Sequence, residues 1–336
     1  MNPETLEDKF CGCLLGLACG DAMGMPTEGL SPYEVWLKYQ KIDGFYGKGS
    51  KNAGSYTGVT QLALLECVTM IASNGSINQK ISSEKLLDTK KRGKYRWRSP
   101  FDRGLERSAE IQTRVAEDDA EFISRCLPFA LLSSPNLPDE EGLLKACKEI
   151  SSLSTIDRYA ILSAFAITWV SKELIRNSSA MESLDELCLS DNSMISRLID
   201  ICRQVECIIE KKEKIQDKLS IRLQQMRTKV DQDRSLEEFV GINGNSWRHI
   251  EAVPLSLFCF LKGSDDLDSV KNAATLGGAS SFVAGMTGAL VGCYSGLGFI
   301  PEDTRNSIEG QGSIMELSRR LSSLACTKLE KQEFSL

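Results

Sequence analysis

The sequence predicts an all-α protein, and three observations carry that assignment. Apolar residues recur at steps of three and four along most of the chain, while the period-two alternation of strands is almost absent. Helix-start chemistry is frequent, as in Asn2-Pro3-Glu4 and the capping box Ser31-Pro32-Tyr33-Glu34. Thr275 to Gly298 contains no charged residue, and its Gly285, Gly288, Gly292 and Gly296 fall on one helical stripe. A glycine inside a helix costs about 1 kcal/mol against alanine, so such a stripe implies that another backbone approaches closely. We read it as a central, enclosed helix entered through a tight turn at Gly277 and Gly278.

The elements follow in order. The helix opened by Pro3 carries Leu6, Phe10, Leu14 and Leu17 on one face and runs through a second small-residue stripe, Gly12, Gly16 and Gly20. Another helix starts at Ser31, and the four glycines between Asp43 and Ser55 make a loop. Thr57 to Ala72 reads as a helix with Leu62, Leu65, Thr69 and Ala72 inward. Lys90 to Arg98 holds six basic residues in nine, with Tyr95 and Trp97 interleaved. A phosphate- or RNA-contacting loop is one reading of it; the preferred one is a solvated loop beside the acidic Glu117 to Glu121 segment. Helices are expected over Asp102–Val115, Asp119–Leu132, Glu140–Ile150, Asp157–Ile175, Val253–Leu261 and Asp265–Ala274. Ser193 to Asp233 is one long surface helix or an antiparallel pair, with Ile201, Val205, Ile208, Ile215, Leu219 and Leu223 on its apolar side. The expected organisation is a single domain over residues 1–336, and no internal repeat is evident.

Composition narrows the function. Forty basic against forty-six acidic residues give a net charge of −6, which offers nucleic acid no attraction. Twelve cysteines are scattered without a CxxC pair, and His249 is the one histidine, which argues against a zinc site of the Cys/His type. Reduced, buried thiols in a cytoplasmic protein fit this pattern. The opening MNPETLEDKF lacks the apolar core of a secretion signal. Ala273 to Ile300 is uncharged and long enough to span a bilayer, but its glycine, serine and threonine make it a buried core helix rather than a membrane span.

Five ordered segments resemble the ADP-ribosylglycohydrolase family. The first holds Gly12, Gly16, Ala18, Gly20, Asp21, Ala22, Gly24, Pro26 and Glu28, and the second Ala53-Gly54-Ser55-Tyr56-Thr57 with Thr60. Phe101, Asp102 and Gly104 resemble the third; Arg125, Pro128 and Ala130 resemble the fourth. The last runs from Glu251 to Leu257 and through Leu276-Gly277-Gly278 to Gly296. The resemblance implies a compact helical bundle with two magnesium ions at its centre, hydrolysing the glycosidic link between ADP-ribose and an acceptor such as a protein side chain. It also implies what is missing. The second motif ordinarily reads Thr-Asp-Asp-Thr, and here it is Thr57-Gly58-Val59-Thr60; the last ordinarily reads Gly-Gly-Asp-Thr-Asp-Thr, and here it is Gly277-Gly278-Ala279-Ser280-Ser281-Phe282. The metal positions Gly58, Val59, Ala279, Ser281 and Phe282 therefore keep no carboxylate, the asparagine-glycine before Arg125 is replaced by Ala120-Glu121, and Ser154-Thr155 stands where many members have Thr-His. Magnesium requires hard oxygen ligands in near-octahedral array, so no metal is expected.

On this reading Asp21, Glu28, Thr57, Thr60, Asp102, Gly277, Gly278 and Ser280 form a vestigial cleft, with Asp21 bracing the backbone and Glu28 standing where the family places its catalytic acid. The protein is expected to be no enzyme, to use no cofactor, and to resemble the J-type crystallins of jellyfish lens, a branch that keeps the scaffold for structural use. A binding module with weak ADP-ribose affinity and a hydrolase with an unconventional site are the alternatives. Self-association is open, and no membrane or nucleic-acid partner is expected.

Overall fold

The computed structural model describes residues 2–98, 101–102, 105, 119–134, 139–177, 193–211, 217–263 and 266–333. The all-α expectation is met by helices α1 (Pro3–Gly24), α2 (Pro32–Tyr39), α3 (Gly58–Ala72), α4 (Gln79–Lys91), α5 (Leu127–Ser133), α6 (Glu140–Ser151), α7 (Arg158–Asn177), α8 (Met194–Glu210), α9 (Leu219–Asp231), α10 (Leu236–Asn243), α11 (His249–Lys262), α12 (Leu267–Thr275), α13 (Ser280–Ser295), α14 (Glu302–Asn306) and α15 (Gln311–Glu333). All but α14, which buries none of its residues, contribute to or pack against one continuous hydrophobic core. Among the described residues the only strand-like pairings are two isolated bridges, Lys48 with Lys51 and Asp119 with Arg248.

The molecule is centred on α1 and α13, which come from opposite ends of the chain. Asn2 caps α1 by accepting from the Glu4 N–H at 3.2 Å, and Pro3 costs nothing in the first turn. From Lys9 to Gly24 every residue of α1 is buried, and so is α13 from Ser280 to Cys293. Their glycine stripes interlock. A Cβ on Gly16 would fall on the Gly288 carbonyl, one on Gly20 on the Ala284 carbonyl, and one on Gly24 on the Ser280 carbonyl. Reciprocally, a Cβ on Gly292 would fall on the Gly12 carbonyl. The two stripes seen in the sequence are thus the two sides of one joint. Gly285 departs from that role, since a Cβ there would rest at an ordinary 3.4 Å from Leu17, while Gly296 ends α13 at φ 77° with its carbonyl where a Cβ on Gly12 would fall. Lys9 secures the same end of α13, donating to the Tyr294 carbonyl at 2.8 Å and the Cys293 carbonyl at 3.2 Å, where the helix dipole favours a cation.

Several expectations shift in detail. Of the α3 residues expected inward, Leu62 and Thr69 are buried, while Leu65 is half-buried and Ala72 exposed; Val59, Ala63, Glu66, Cys67 and Met70 complete the inner face. The helix expected from Asp119 begins as a 3-10 turn, Glu121–Cys126, because Pro128 lies in the first turn of α5 and cannot continue an earlier helix. The Asp102–Val115 helix and Gly104 lie largely outside the described residues. Ser193 to Asp233 is the pair α8 and α9, but the inner stripe of α8 is Ile195, Leu198, Ile199, Cys202 and Ile209, with Ile208 64% exposed. Ile215 lies outside the described residues. Four helices were not anticipated: the short α10 and α14, of 8 and 5 residues, and the longer α4 and α15. The buried side of α4 is only Ser82 and Leu86, and that of α15 mixes Ile314, Leu321 and Ala325 with Ser318 and Ser322, so neither shows a clean apolar stripe.

Ala273 to Ile300 is broken by the turn at Gly277 and Gly278, so it is not one helix. Among the described residues one helical segment, Pro3–Thr27, is long and apolar enough to cross a membrane, and its most apolar 18-residue stretch is wholly buried in the fold.

Candidate functional site

Three loops meet where α1 ends and α13 begins. After α1 the chain makes a 3-10 turn, Met25–Thr27, and leaves through Glu28 and Gly29. Gly277 and Gly278 both adopt positive φ, 70° and 61°, which a side chain resists. Their turn is stitched to the first loop by Gly29 N–H to the Gly278 carbonyl and Gly278 N–H to the Leu30 carbonyl, both 2.8 Å. The Ala279 N–H donates to the Asn245 carbonyl at 2.8 Å, which brings in the third loop. Ser280 donates to the Gly24 carbonyl at 2.8 Å, and Thr27 lies 2.9 Å from Ser280 and 2.6 Å from the Ala274 carbonyl. One residue on, the Ser281 hydroxyl donates to Glu28 Oε2 at 2.7 Å.

Asp21 braces the backbone, as its position in the motif suggests. Its carboxylate accepts from the Thr57 N–H at 3.0 Å, the Thr60 N–H at 2.9 Å and the Thr60 hydroxyl at 2.7 Å. It thereby satisfies N–H groups at the start of α3 that have no partner within the helix. Complete burial pushes its carboxyl up to about 6, against the pull of those same hydrogen bonds. Asp102 stands apart from this cluster: it pairs with Lys90 at 2.7 Å and accepts from Trp97 Nε1 at 3.2 Å.

Glu28 and Thr57 face a cavity of about 190 Å³ whose other walls are Met25, Lys48, Lys51, Arg96 and Arg98. Lys48 donates to the Glu28 carbonyl at 2.7 Å. Arg96 forms a two-pronged pair with Glu309 at 2.8 and 2.6 Å and donates to the Tyr56 carbonyl at 3.1 Å. Arg98 pairs with Asp119, and its guanidinium lies 3.9 Å from the centre of the Trp247 ring, itself 6.2 Å from that of Phe282. The reading of Lys90 to Arg98 as a solvated loop holds for Lys91 to Tyr95, which are exposed, and is corrected for Arg96 to Arg98. Arg98 does meet the acidic segment, through Asp119 and through its N–H to Glu121 at 2.7 Å, but Trp97 is buried and the arginines turn inward. The interleaving of aromatic and basic residues was the available signal; Lys48, Lys51, Glu121 and Trp247 carried none.

Comparison with known proteins then decides the family. The family model described as ADP-ribosylglycohydrolase matches residues 2–330. The chain belongs to the ADP-ribosylglycohydrolase family. An uncharacterized protein of Archaeoglobus fulgidus is 26% identical over 329 residues, covering 94% of this chain and 96% of that protein. The ADP-ribosylhydrolase ARH3 of Mus musculus is 34% identical over 103 residues, which is 27% of this chain and 28% of the relative. A solved structure described as an ADP-ribosylglycohydrolase-related protein complex superposes with TM-score 0.67 at 20% identity, over 96% of this chain and 99% of that one, and so supports the fold.

The family motifs imply two magnesium ions beside Glu28, and the side chains present do not fit them. Val59, Ala279 and Phe282 are fully buried members of the hydrophobic core and offer no ligand oxygen. At Gly58 an added Cβ would meet the backbone of Trp97 and Oε1 of Glu121. The Ser281 oxygen is neutral and already engaged with Glu28. Glu121 is 1% exposed, and burial, then the charge of Asp119, hold its carboxyl well above the usual range; its Oε1 has no hydrogen-bond partner. Among the described residues no three His, Cys, Asp or Glu side chains are grouped to hold a metal ion. Four cationic side chains at the same cavity further oppose a divalent cation.

Proposed function

We propose that this member of the ADP-ribosylglycohydrolase family does not hydrolyse and uses the helical scaffold structurally, in the manner of the J-type crystallins that its altered motifs resemble. The observation that carries the reading is Phe282: a fully buried ring, 6.2 Å from Trp247, stands where the motif would supply a metal-binding threonine. The surrounding replacements act in the same direction, since each exchanges a buried charge, costing several kcal/mol, for an apolar or small group. The buried thiols suit a reducing, cytoplasmic setting: burial pushes Cys11 up to about 11 and Cys19 up to about 12, away from the reactive thiolate. A second reading, ADP-ribose binding without chemistry, draws on the retained Glu28 and Thr57. The cavity weighs against it, because 190 Å³ is below the ~300 Å³ at which ligand pockets of that size begin.

The test is hydrolysis. Arginine- and serine-linked ADP-ribosyl peptides and an acetyl ester of ADP-ribose, incubated with the protein and millimolar magnesium, should release ADP-ribose no faster than the buffer control. Release above that control, abolished by Glu28→Gln, would show that the reading is wrong.

A further inference from the structure

We propose that the cavity beside Glu28 and Thr57 is a metal-independent anion site that takes a phosphoryl group. Lys48, Lys51, Arg96 and Arg98 converge on it from two separate loops. The carboxylates facing this group are Glu28 in the cavity wall, Glu309 on Arg96, Asp119 on Arg98 and, behind them, Asp21 and Glu121, both buried and pushed toward the neutral form. Among the described residues the lysines are the cations left without a carboxylate partner. Neither Lys48 nor Lys51 forms an ion pair with a carboxylate among the described residues, and Lys48 is held at the cavity by the Glu28 carbonyl alone. The arginines are preorganised: Glu309 fixes the plane of Arg96, while Asp119 and the Trp247 face fix Arg98. Among the described residues the Arg98 guanidinium gives one hydrogen bond, to Asp119, and its fork has further donors for a ligand. Such guanidinium forks and ammonium groups match the oxygens of a phosphate. Thr57 adds a neutral lining residue with a hydroxyl.

A cavity of about 190 Å³ accommodates a phosphoryl group beside these cations. The phosphoryl group is either inorganic phosphate or the end of a phosphomonoester. This inference goes beyond the structural role and does not depend on it, since an anion site is compatible with either presence or absence of hydrolysis.

The experiment is thermal melting and calorimetry of the full chain in chelator, with potassium chloride holding ionic strength constant. The probes are inorganic phosphate and glucose 6-phosphate. A saturable rise in melting temperature with inorganic phosphate supports the site and assigns the free ion; a rise with glucose 6-phosphate alone supports it and assigns a terminal phosphoryl group. Lys48→Ala and Lys51→Ala, on an exposed loop, should each weaken binding about tenfold through loss of a charge-assisted contact. Both should melt like the parent without ligand, and Lys51→Glu should abolish binding. No saturable rise with either probe, binding that appears only when magnesium is added, or equal affinity in the lysine variants would each overturn the proposal.

Discussion

Gly16→Val is expected to yield little or no folded protein. The Cβ alone would lie on the Gly288 carbonyl, and the neighbouring Phe299 ring is already 3.0 Å from that point. Overpacked side chains usually escape by rotating, at about 1–3 kcal/mol. Here the obstacle is backbone on an enclosed helix, so relief requires α1 and α13 to part along their whole seam. We expect a loss of about 4 kcal/mol or more, which lowers the melting temperature by at least about 6 °C in a chain of this size. Gly241 in α10 supplies the contrast: nothing lies within 4 Å of its added Cβ. Gly241→Ala should therefore be neutral or stabilising, by up to ~1 kcal/mol. Circular dichroism melts of the two variants check both statements, and a Gly16→Val melt equal to the parent would remove the close approach from the fold.

Glu66→Ala should cost about 3–5 kcal/mol, because it leaves a guanidinium buried without a counter-charge. Arg125 and Glu66 are 1% and 2% exposed. Arg125 donates to Glu66 Oε2 from Nη2 at 2.8 Å and from Nε at 3.2 Å. It also donates to Ser82 Oγ at 2.8 Å and to the Ile150 carbonyl at 2.9 Å, while Ser82 in turn donates to Glu66 at 2.9 Å. The network ties α3, α4, the turn before α5, and α6, so its loss is felt across one side of the molecule. Glu66→Gln keeps an acceptor oxygen and should lose less than Glu66→Ala. Urea unfolding measures both; equal small losses would mean that water reaches Arg125 and screens it.

The same residues show what could be read without coordinates. The glycine stripes of α1 and α13 were both visible, but their pairing was not, because periodicity marks a face and not its partner. Arg125 was recognised as part of a motif, and its place is the packing network with Glu66 rather than the cavity. Asp21 was assigned to bracing, and its bonds to Thr57 and Thr60 do that. Of the cavity, Glu28 and Thr57 were legible as cleft residues, and the cationic walls were not. Its walls come from residues 25–28, 48–57 and 96–98, all in loops or at helix ends, where neither spacing nor capping encodes which way a lysine or arginine points. Glu121 was invisible for a similar reason: only the coordinates bring its carboxyl against Gly58, into volume where the motif would place an aspartate.

The central claim is that buried apolar side chains and cationic groups have replaced the metal centre, and magnesium calorimetry tests it most directly. The full chain, stripped with chelator and dialysed, should give only heats of dilution when titrated with magnesium chloride to millimolar concentration. One or two stoichiometric sites, weakened by Glu28→Gln, would contradict the account.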